Sequence, residues 1–230
     1  MPLVGIFLPE GCLAHIIQHH EGPINIDELF TKGERLHDVF RMEHFHDFER
    51  DRVKEKMCFF VDDGILKLTN GGTIVEVTSN ESAKVLEFFV QLTEGLLDTY
   101  LIVLLSVEQL CGRPMVIPFK ELVTEMHASM KDLHHEDVIP HLHSCLTEVI
   151  RTSFSRFEQL KFIEMRTYPD KKGTPTIFVQ SPAHKQADIR ELITFLQSLR
   201  TYTTEQFKFI DDEVADALYR THGPVQVAKL

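Results

Sequence analysis

The 230-residue sequence has no tryptophan, only four cysteines, and few residues that break regular structure. Its 11 glycines and 10 prolines are too few for a low-complexity linker. The cysteines lie far apart and form no Cys-x-x-Cys pair, which argues against a zinc ribbon and a disulfide scaffold. We therefore expect a reducing compartment and mostly buried thiols at Cys12, Cys58, Cys111 and Cys145.

Basic residues are also in deficit, with 24 Lys and Arg against 35 Asp and Glu, a net charge of −11. A chain this acidic repels phosphate backbones, so nucleic acid is not expected as a partner. The hydrophobic fraction of 43% and the charged fraction of 26% are those of a globular protein with a sizeable core. This composition excludes a disordered or fibrous chain.

Long apolar runs are missing as well. The strongest, Leu96 to Val107, contains Asp98 and is well short of the ~20 residues that cross a bilayer. We predict a buried core helix there. At the N-terminus, Pro2 to Leu8 is apolar but has no basic residue before it, and Pro9 and Glu10 interrupt it, so we expect no secretory signal.

The first half of the chain has helical periodicity followed by a hairpin pattern. Asn25 is a candidate helix N-cap, and Gly33 is expected to end the short helix that it starts. The predicted helices are Gly11–Gln18, a short helix around Ile24–Phe30, Glu34–Phe40 and Phe48–Val61. Short helices followed by a hairpin are in the order of a winged-helix unit.

The hairpin is predicted from strands Ile65–Thr69 and Thr73–Thr78, joined by the turn Asn70-Gly71-Gly72. We expect it to bury Ile65, Leu66 or Leu68, together with Ile74 or Val77, against the preceding helix. A long helix, roughly Ser82 to Cys111, follows, with Asn80 as its expected N-cap and Gly112-Arg113-Pro114 as its end.

The second half repeats this order. Pro118–Val123 resembles Asp27–Phe30, and Ala187–Leu196 shares its apolar positions with Ser82–Phe89. The helix His141–Phe157, predicted as the longest of this half, and a hairpin of Leu160–Met165 and Thr174–Val179 lie between them. We predict a mainly α protein of two winged-helix-like units, 1–112 and 113–230, each followed by a long helix. Chance similarity of two amphipathic halves is the alternative.

One cluster of histidines and acidic residues in the second half of the sequence is a candidate metal site. Residues adjacent or two apart on a helix diverge, whereas zinc ligands must converge on one point. We therefore predict a solvated loop and no metal. The cluster comprises His134, His135, Glu136, Asp137, His141, His143 and Cys145.

Two short motifs resemble parts of acyltransferase active sites. His46 and Asp51 have the spacing with which an aspartate orients a histidine general base, and Leu8-Pro9-Glu10-Gly11 resembles a phosphate-site motif. In the acyltransferases, however, the His/Asp motif comes first, and here it follows. No Gly-x-Ser-x-Gly, phosphate-binding loop or dinucleotide fingerprint is present. We therefore assign no catalytic residue.

The C-terminus ends in Ala228, Lys229 and Leu230. A small residue, a basic residue and a leucine with a free carboxylate are typical of a peroxisomal address. We expect an exposed targeting tail, a peroxisomal import receptor as a partner and a location in the peroxisome.

The chain resembles the C-terminal, non-catalytic region of the glycerol-phosphate and dihydroxyacetone-phosphate acyltransferases. The resemblance rests on Val85–Leu110, Met57–Leu68 and Phe154–Val179. Together with the tail, it indicates the peroxisomal dihydroxyacetone-phosphate branch, which begins ether-lipid synthesis. It implies acyl-CoA as the substrate of the family, with no cofactor in this chain. It also implies an upstream catalytic domain or another acyltransferase chain as partner, with the peroxisomal membrane reached through the complete enzyme.

A second hypothesis does not depend on the acyltransferases. A tandem winged-helix chain can stand alone as an interaction module. Its acidic charge disfavours DNA, so such a module would bind protein.

Overall fold

A computed structural model describes residues 2–43, 47–111, 117–169 and 175–200. Within these ranges the protein is mainly α, with seven α-helices and two small three-stranded antiparallel sheets. This confirms the predicted fold class.

The first set of elements is α1 (Pro2–His19), β1 (Ile24–Asn25), α2 (Ile26–Val39), α3 (Arg50–Asp62), β2 (Leu66–Thr69), β3 (Ile74–Val77) and α4 (Asn80–Leu110). The second set is β4 (Ile117–Pro118), α5 (Phe119–His135), α6 (Thr147–Gln159), β5 (Glu164–Pro169), β6 (Pro175–Gln180) and α7 (Gln186–Gln197).

The two sheets have the same strand order. The first is β1-β3-β2, with Ile24 opposite Val75, and the second is β4-β6-β5, with Ile117 opposite Val179. In both, a two-residue strand precedes two helices and then pairs with the second strand of the hairpin. This shared order confirms two winged-helix-like units and supports the hypothesis of a pseudo-duplication.

The backbone contacts divide the described residues into two compact units. Unit 1 contains the residues up to Leu97 together with 198–200, and unit 2 contains residues 98–197. Unit 1 buries Leu29, Phe30 and Phe40, and unit 2 buries Phe154 and Phe157. The boundary falls inside α4, so this helix contributes to both units.

Helix α4 is, among the described helices, the one long and apolar enough to cross a membrane. Two thirds of its most apolar stretch, 67%, is buried inside the protein, and every residue from Leu96 to Leu104 is buried. The core of a soluble protein passes the same test of length and composition, and the buried helix predicted at Leu96–Val107 is found here.

Two helix boundaries in the first half, the start of α1 and the end of α2, differ from the sequence prediction. α1 begins at Pro2 rather than Gly11 and includes Pro9. Asn25 caps α2 as predicted, since its Oδ1 accepts hydrogen bonds from the backbone of Asp27 at 2.8 Å and Glu28 at 3.4 Å. Gly33 does not end this helix, which continues to Val39. The glycine lies against Leu13 of α1, where a side chain would overlap the leucine.

Asn80 is not the N-cap of α4, contrary to the prediction. It is the first residue of α4, and the hydroxyl of Ser79 accepts a hydrogen bond from the backbone N–H of Ser82 at 3.1 Å. A serine hydroxyl that accepts a hydrogen bond from the backbone N–H three residues later has the geometry of an N-cap, so Ser79 caps α4.

The hairpin prediction is correct for Leu66 and wrong for its partner. Leu66 is 2% exposed, but the strand residue buried beside it is Val75, at 1%. Val77 and Leu68 lie on the same face, but both are 37% exposed. Ile74 is on the other face because successive strand residues point in opposite directions.

In unit 2, the predicted helix His141–Phe157 is interrupted. Leu142–Cys145 form a 3-10 turn, and α6 begins at Thr147. The carbonyl of Ser144 accepts a hydrogen bond from the hydroxyl of Thr99 at 2.8 Å instead of continuing a helical ladder. The longer helix between β4 and the hairpin is α5, with 17 residues.

Candidate functional site

The motif Leu8-Pro9-Glu10-Gly11 lies within α1 and has a packing role. Leu8 is fully buried. Glu10 is 8% exposed, and its carboxylate forms an ion pair with Lys56 of α3 at 2.5 Å. Gly11 lies directly against Thr93 of α4, where a larger residue would overlap the threonine methyl group. The motif holds three helices of unit 1 together.

The other acyltransferase-like motif is described only in part. His46 lies outside the described residues, whereas Asp51 is an exposed residue in the first turn of α3. Between them, Asp47 accepts a hydrogen bond from Arg41 at 3.2 Å.

The histidine cluster around α5 makes structural contacts. The ring of His134 hydrogen-bonds the carbonyl of Ile139 at 2.8 Å, just beyond the end of α5. The thiol of buried Cys145 donates to the carbonyl of Met130 at 3.3 Å, and burial raises the pKa of this thiol. The side chain of His143 is outside the described part. Within that part, no three His, Cys, Asp or Glu side chains are placed to hold a metal ion.

The cysteine prediction is correct for two of the four thiols. Cys12 and Cys145 are buried, and burial beside the Glu10 carboxylate raises the pKa of Cys12 well above its ordinary value. Cys111 is partly exposed, with its thiol donating to the carbonyl of Pro182, and Cys58 is exposed.

Unit 1 has a polar cleft of about 590 Å³ between α2 and the segment that follows it. Its charged groups are largely neutralised by one another. Arg41 lies 3.8 Å from Asp38 and 3.2 Å from Asp47, and Glu34 pairs with Arg50 at 2.8 Å. The cleft is lined by Thr31, Glu34, Arg35, His37, Asp38, Arg41, Asp47 and Phe48.

A second cleft of unit 1, about 420 Å³, lies at the start of α4. The hydroxyls at this helix start hydrogen-bond within the protein: Thr78 to the carbonyl of Gly64, and Ser79 to Ser82. These contacts order the beginning of the helix.

The most unusual surface of unit 1 is apolar. On α3, Phe59 is 67% exposed, and on α4, Phe88 is 56% and Val85 38% exposed. Behind them, the rings of Phe60 and Phe89 meet edge to face at 5.2 Å, and Phe88 meets Phe89 at 5.5 Å. These five residues are called the aromatic patch below.

The sequence carries a signal for this patch that periodicity analysis overlooks. Two consecutive phenylalanines occur on α3 and again on α4. Neighbouring residues on a helix point about 100° apart, so on a helix packed on one side only, such as α3 or the start of α4, one member of the pair lies toward the surface.

The predicted targeting residues, Ala228, Lys229 and Leu230, lie outside the described residues.

Comparison with known families identifies the chain. The model of the glycerol-3-phosphate acyltransferase C-terminal region matches residues 3–166, more than two thirds of the sequence. The chain therefore belongs to this family, which acts in phospholipid synthesis and uses acyl-CoA. No family model of a catalytic acyltransferase domain matches it. No curated protein sequence matches the chain significantly.

This match confirms the family resemblance. Met57–Leu68 and Val85–Leu110 lie inside the matched range, and the third resembling segment begins inside it. Both helices of the aromatic patch are therefore part of the family's C-terminal region.

Proposed function

We propose that the chain is the non-catalytic C-terminal region of a dihydroxyacetone-phosphate acyltransferase and that it binds and stabilises the catalytic region of that enzyme. The catalytic region would transfer an acyl group from acyl-CoA to the hydroxyl of dihydroxyacetone phosphate. The observation that carries the proposal is the family match over residues 3–166.

The contacts of the candidate motifs support a non-catalytic role. Glu10 is held by Lys56, His134 by a backbone carbonyl, and Cys145 by another. Each of these groups is engaged in packing, and none is paired as a nucleophile with an adjacent base. Acyl-CoA would be bound by the catalytic region, and the chain itself would need no cofactor.

The peroxisomal branch is proposed from the tail. Ala228, Lys229 and Leu230 offer an import receptor a small side chain, a cation and a free carboxylate. Import of the complete enzyme would bring this region to the peroxisome, and membrane association would follow from the rest of the enzyme.

The test is an acyltransferase assay that follows release of free coenzyme A. The full chain alone is expected to show no turnover with acyl-CoA and either acceptor. Adding it to a separately purified catalytic region should raise that region's activity or its half-life, with dihydroxyacetone phosphate as the preferred acceptor. Turnover by the chain alone that disappears in His46→Ala would contradict the proposal.

A second candidate function is favoured by the repeated strand order. Two winged-helix-like units in an acidic chain also suit a protein-interaction module that acts without a catalytic region. Absence of any binding to the catalytic region, with a normally folded chain, would favour this alternative.

A further inference from the structure

The duplication allows each position of unit 1 to be compared with its equivalent in unit 2. α3 and α6 end in the same way. The backbone N–H of Ile65 donates to Phe60 at 2.8 Å, and that of Phe162 donates to Phe157 at 2.9 Å. The intervening residues, Gly64 and Lys161, have positive φ values of 70° and 62°. Phe60 thus corresponds to Phe157, and its neighbour Phe59 corresponds to Arg156.

The start of α4 and α7 correspond through their core positions. Leu86 and Val90 are buried on α4, and Ile189 and Ile193 are buried on α7 with the same four-residue spacing. The exposed residues that precede Leu86 and Ile189 are Val85 and Asp188. The residues two before Val90 and Ile193 are Phe88 and Glu191, both exposed.

At two equivalent positions, therefore, unit 1 has an exposed apolar side chain where unit 2 has an exposed charged one. Val85 and Phe88 correspond to Asp188 and Glu191. Arg156, the equivalent of Phe59, is only 6% exposed, so that position lies on the surface in unit 1 alone. Because the same fold forms with charged residues, it does not require apolar residues at Val85 and Phe88. Exposed aromatic groups that the fold does not need indicate an interaction surface.

The charges around the patch indicate what kind of partner fits it. Four exposed carboxylates lie on or beside these stretches of α3 and α4, against three cations, one of which, Lys56, is already paired with Glu10. The carboxylates are Glu55, Asp62, Asp63 and Glu87, and the other two cations are Lys54 and Lys84. Insertion of the rings into an anionic bilayer would push these carboxylates toward lipid phosphates, and the net charge of −11 adds to that repulsion. A protein surface with an apolar centre and basic residues around it is complementary in both respects.

We propose that the aromatic patch of unit 1 is the surface that binds the catalytic region of the acyltransferase, through an apolar face rimmed by basic residues. This inference rests on the proposed function, because the family membership is what makes the catalytic region the expected neighbour. Phe59 and Phe88 would be the main contacts, since large aromatic side chains dominate the energy of protein interfaces.

The experiment measures the Kd between the full chain and a separately purified acyltransferase catalytic region from the same organism. Phe88→Glu introduces the residue type of unit 2, and Phe59→Arg places a charge on a side chain that is 67% exposed, so both variants should fold normally, with an unchanged Tm. Each should weaken binding by about tenfold or more. The matched control is Ile177→Glu, at an apolar residue of unit 2 that is 45% exposed, and its Kd should equal that of the wild type.

A hydrogen-exchange measurement on the wild-type complex keeps the test informative if a variant does not fold. Peptides covering Phe59 and Phe88 should gain protection when the catalytic region binds, whereas β6 should not. The serine variants Phe59→Ser and Phe88→Ser offer a milder perturbation of the same surface.

Three results would overturn the inference. If the wild type binds the catalytic region and the patch variants bind equally well, the surface is elsewhere and the proposed function stands. If the wild type does not bind the catalytic region, the proposed function fails and the inference fails with it. If Phe88→Glu instead abolishes binding to phosphatidylcholine vesicles or self-association, the occupant is a lipid surface or a second copy.

Discussion

The buried histidine of α1 should make unit 1 sensitive to acid. His15 is fully buried, and its ring nitrogens have only weak partners, the backbone groups of Val90 and Leu199, neither of which reaches full hydrogen-bond geometry. Its ring stacks on that of His19 at 5.9 Å. Burial first, and the nearby His19 second, lower the pKa of His15, while the Glu94 carboxylate and the backbone of Val90 and Leu199 raise it in part. The net result is a pKa lowered from 6.5 to about 4.

The lowered pKa of His15 determines how the stability of the protein changes with pH. The unfolded chain takes up a proton near pH 6.5, whereas the folded chain resists doing so until about pH 4. The contribution of His15 to stability is therefore full above pH 6.5 and is lost as the pH falls from 6.5 to about 4. Below about pH 4, where both states are protonated, this contribution no longer changes. The pKa difference corresponds to a loss of about 3 kcal/mol in total, of which about 2 kcal/mol is lost between pH 7.5 and pH 5.

The assay is urea unfolding of the wild type and of His15→Leu at pH 7.5 and pH 5. Leucine has no titrating group and needs no hydrogen bond, so the variant should lose about 2 kcal/mol less than the wild type over this interval. His135→Leu, at an exposed histidine of α5, is the control and should keep the wild-type pH dependence. The same pH dependence in wild type and His15→Leu would refute the assignment.

Other predictions concern packing and the tail. Leu66→Ala should lower the free energy of unfolding by about 2–5 kcal/mol, whereas Leu68→Ala, at a residue 37% exposed on the same strand, should cost much less; equal losses in urea unfolding would contradict the burial pattern. Gly11→Ala should destabilise the protein by about 1–3 kcal/mol because the new methyl group overlaps Thr93, and an unchanged Tm would show that α1 and α4 can separate. Deleting Ala228–Leu230 should leave Tm unchanged and move an N-terminally fluorescent-tagged chain from peroxisomes to the cytosol; retention in peroxisomes would refute the targeting role.

Local patterns predict much of this fold. The Asn70-Gly71-Gly72 turn has positive φ values at all three residues, which asparagine and glycine tolerate, so the hairpin could be placed from sequence. The N-cap at Asn25 and the repeated apolar positions also depend on neighbouring residues alone, so they too could be predicted from the sequence. The two-residue strands β1 and β4 could not be found this way, since they are too short for periodicity and exist only through pairing with the hairpin.

Features that depend on distant contacts were missed. Gly33 is predicted as a helix end, but it lies inside α2, where the approach of Leu13 from α1 leaves no room for a side chain. The acyltransferase-like motif at Glu10 has a familiar spacing, yet its role is decided by Lys56 and Thr93, which lie far along the chain. The paired phenylalanines of the aromatic patch are visible in the sequence, but only comparison with Asp188 and Glu191 shows that the fold does not require apolar residues at Val85 and Phe88.

The continuous helix α4 restricts how this protein can be dissected. Leu86 and Val90 complete the core of unit 1, while Tyr100 and Leu101 belong to the core of unit 2, and all four lie on one 31-residue helix. A gene fragment that stops before α4 leaves unit 1 without its last helix. A fragment that starts after α4 leaves unit 2 without its first helix. A cut within α4 divides the hydrogen-bonded backbone itself. Expression of either unit alone therefore requires a fragment that carries the whole of α4, with the apolar side chains meant for the other unit left uncovered.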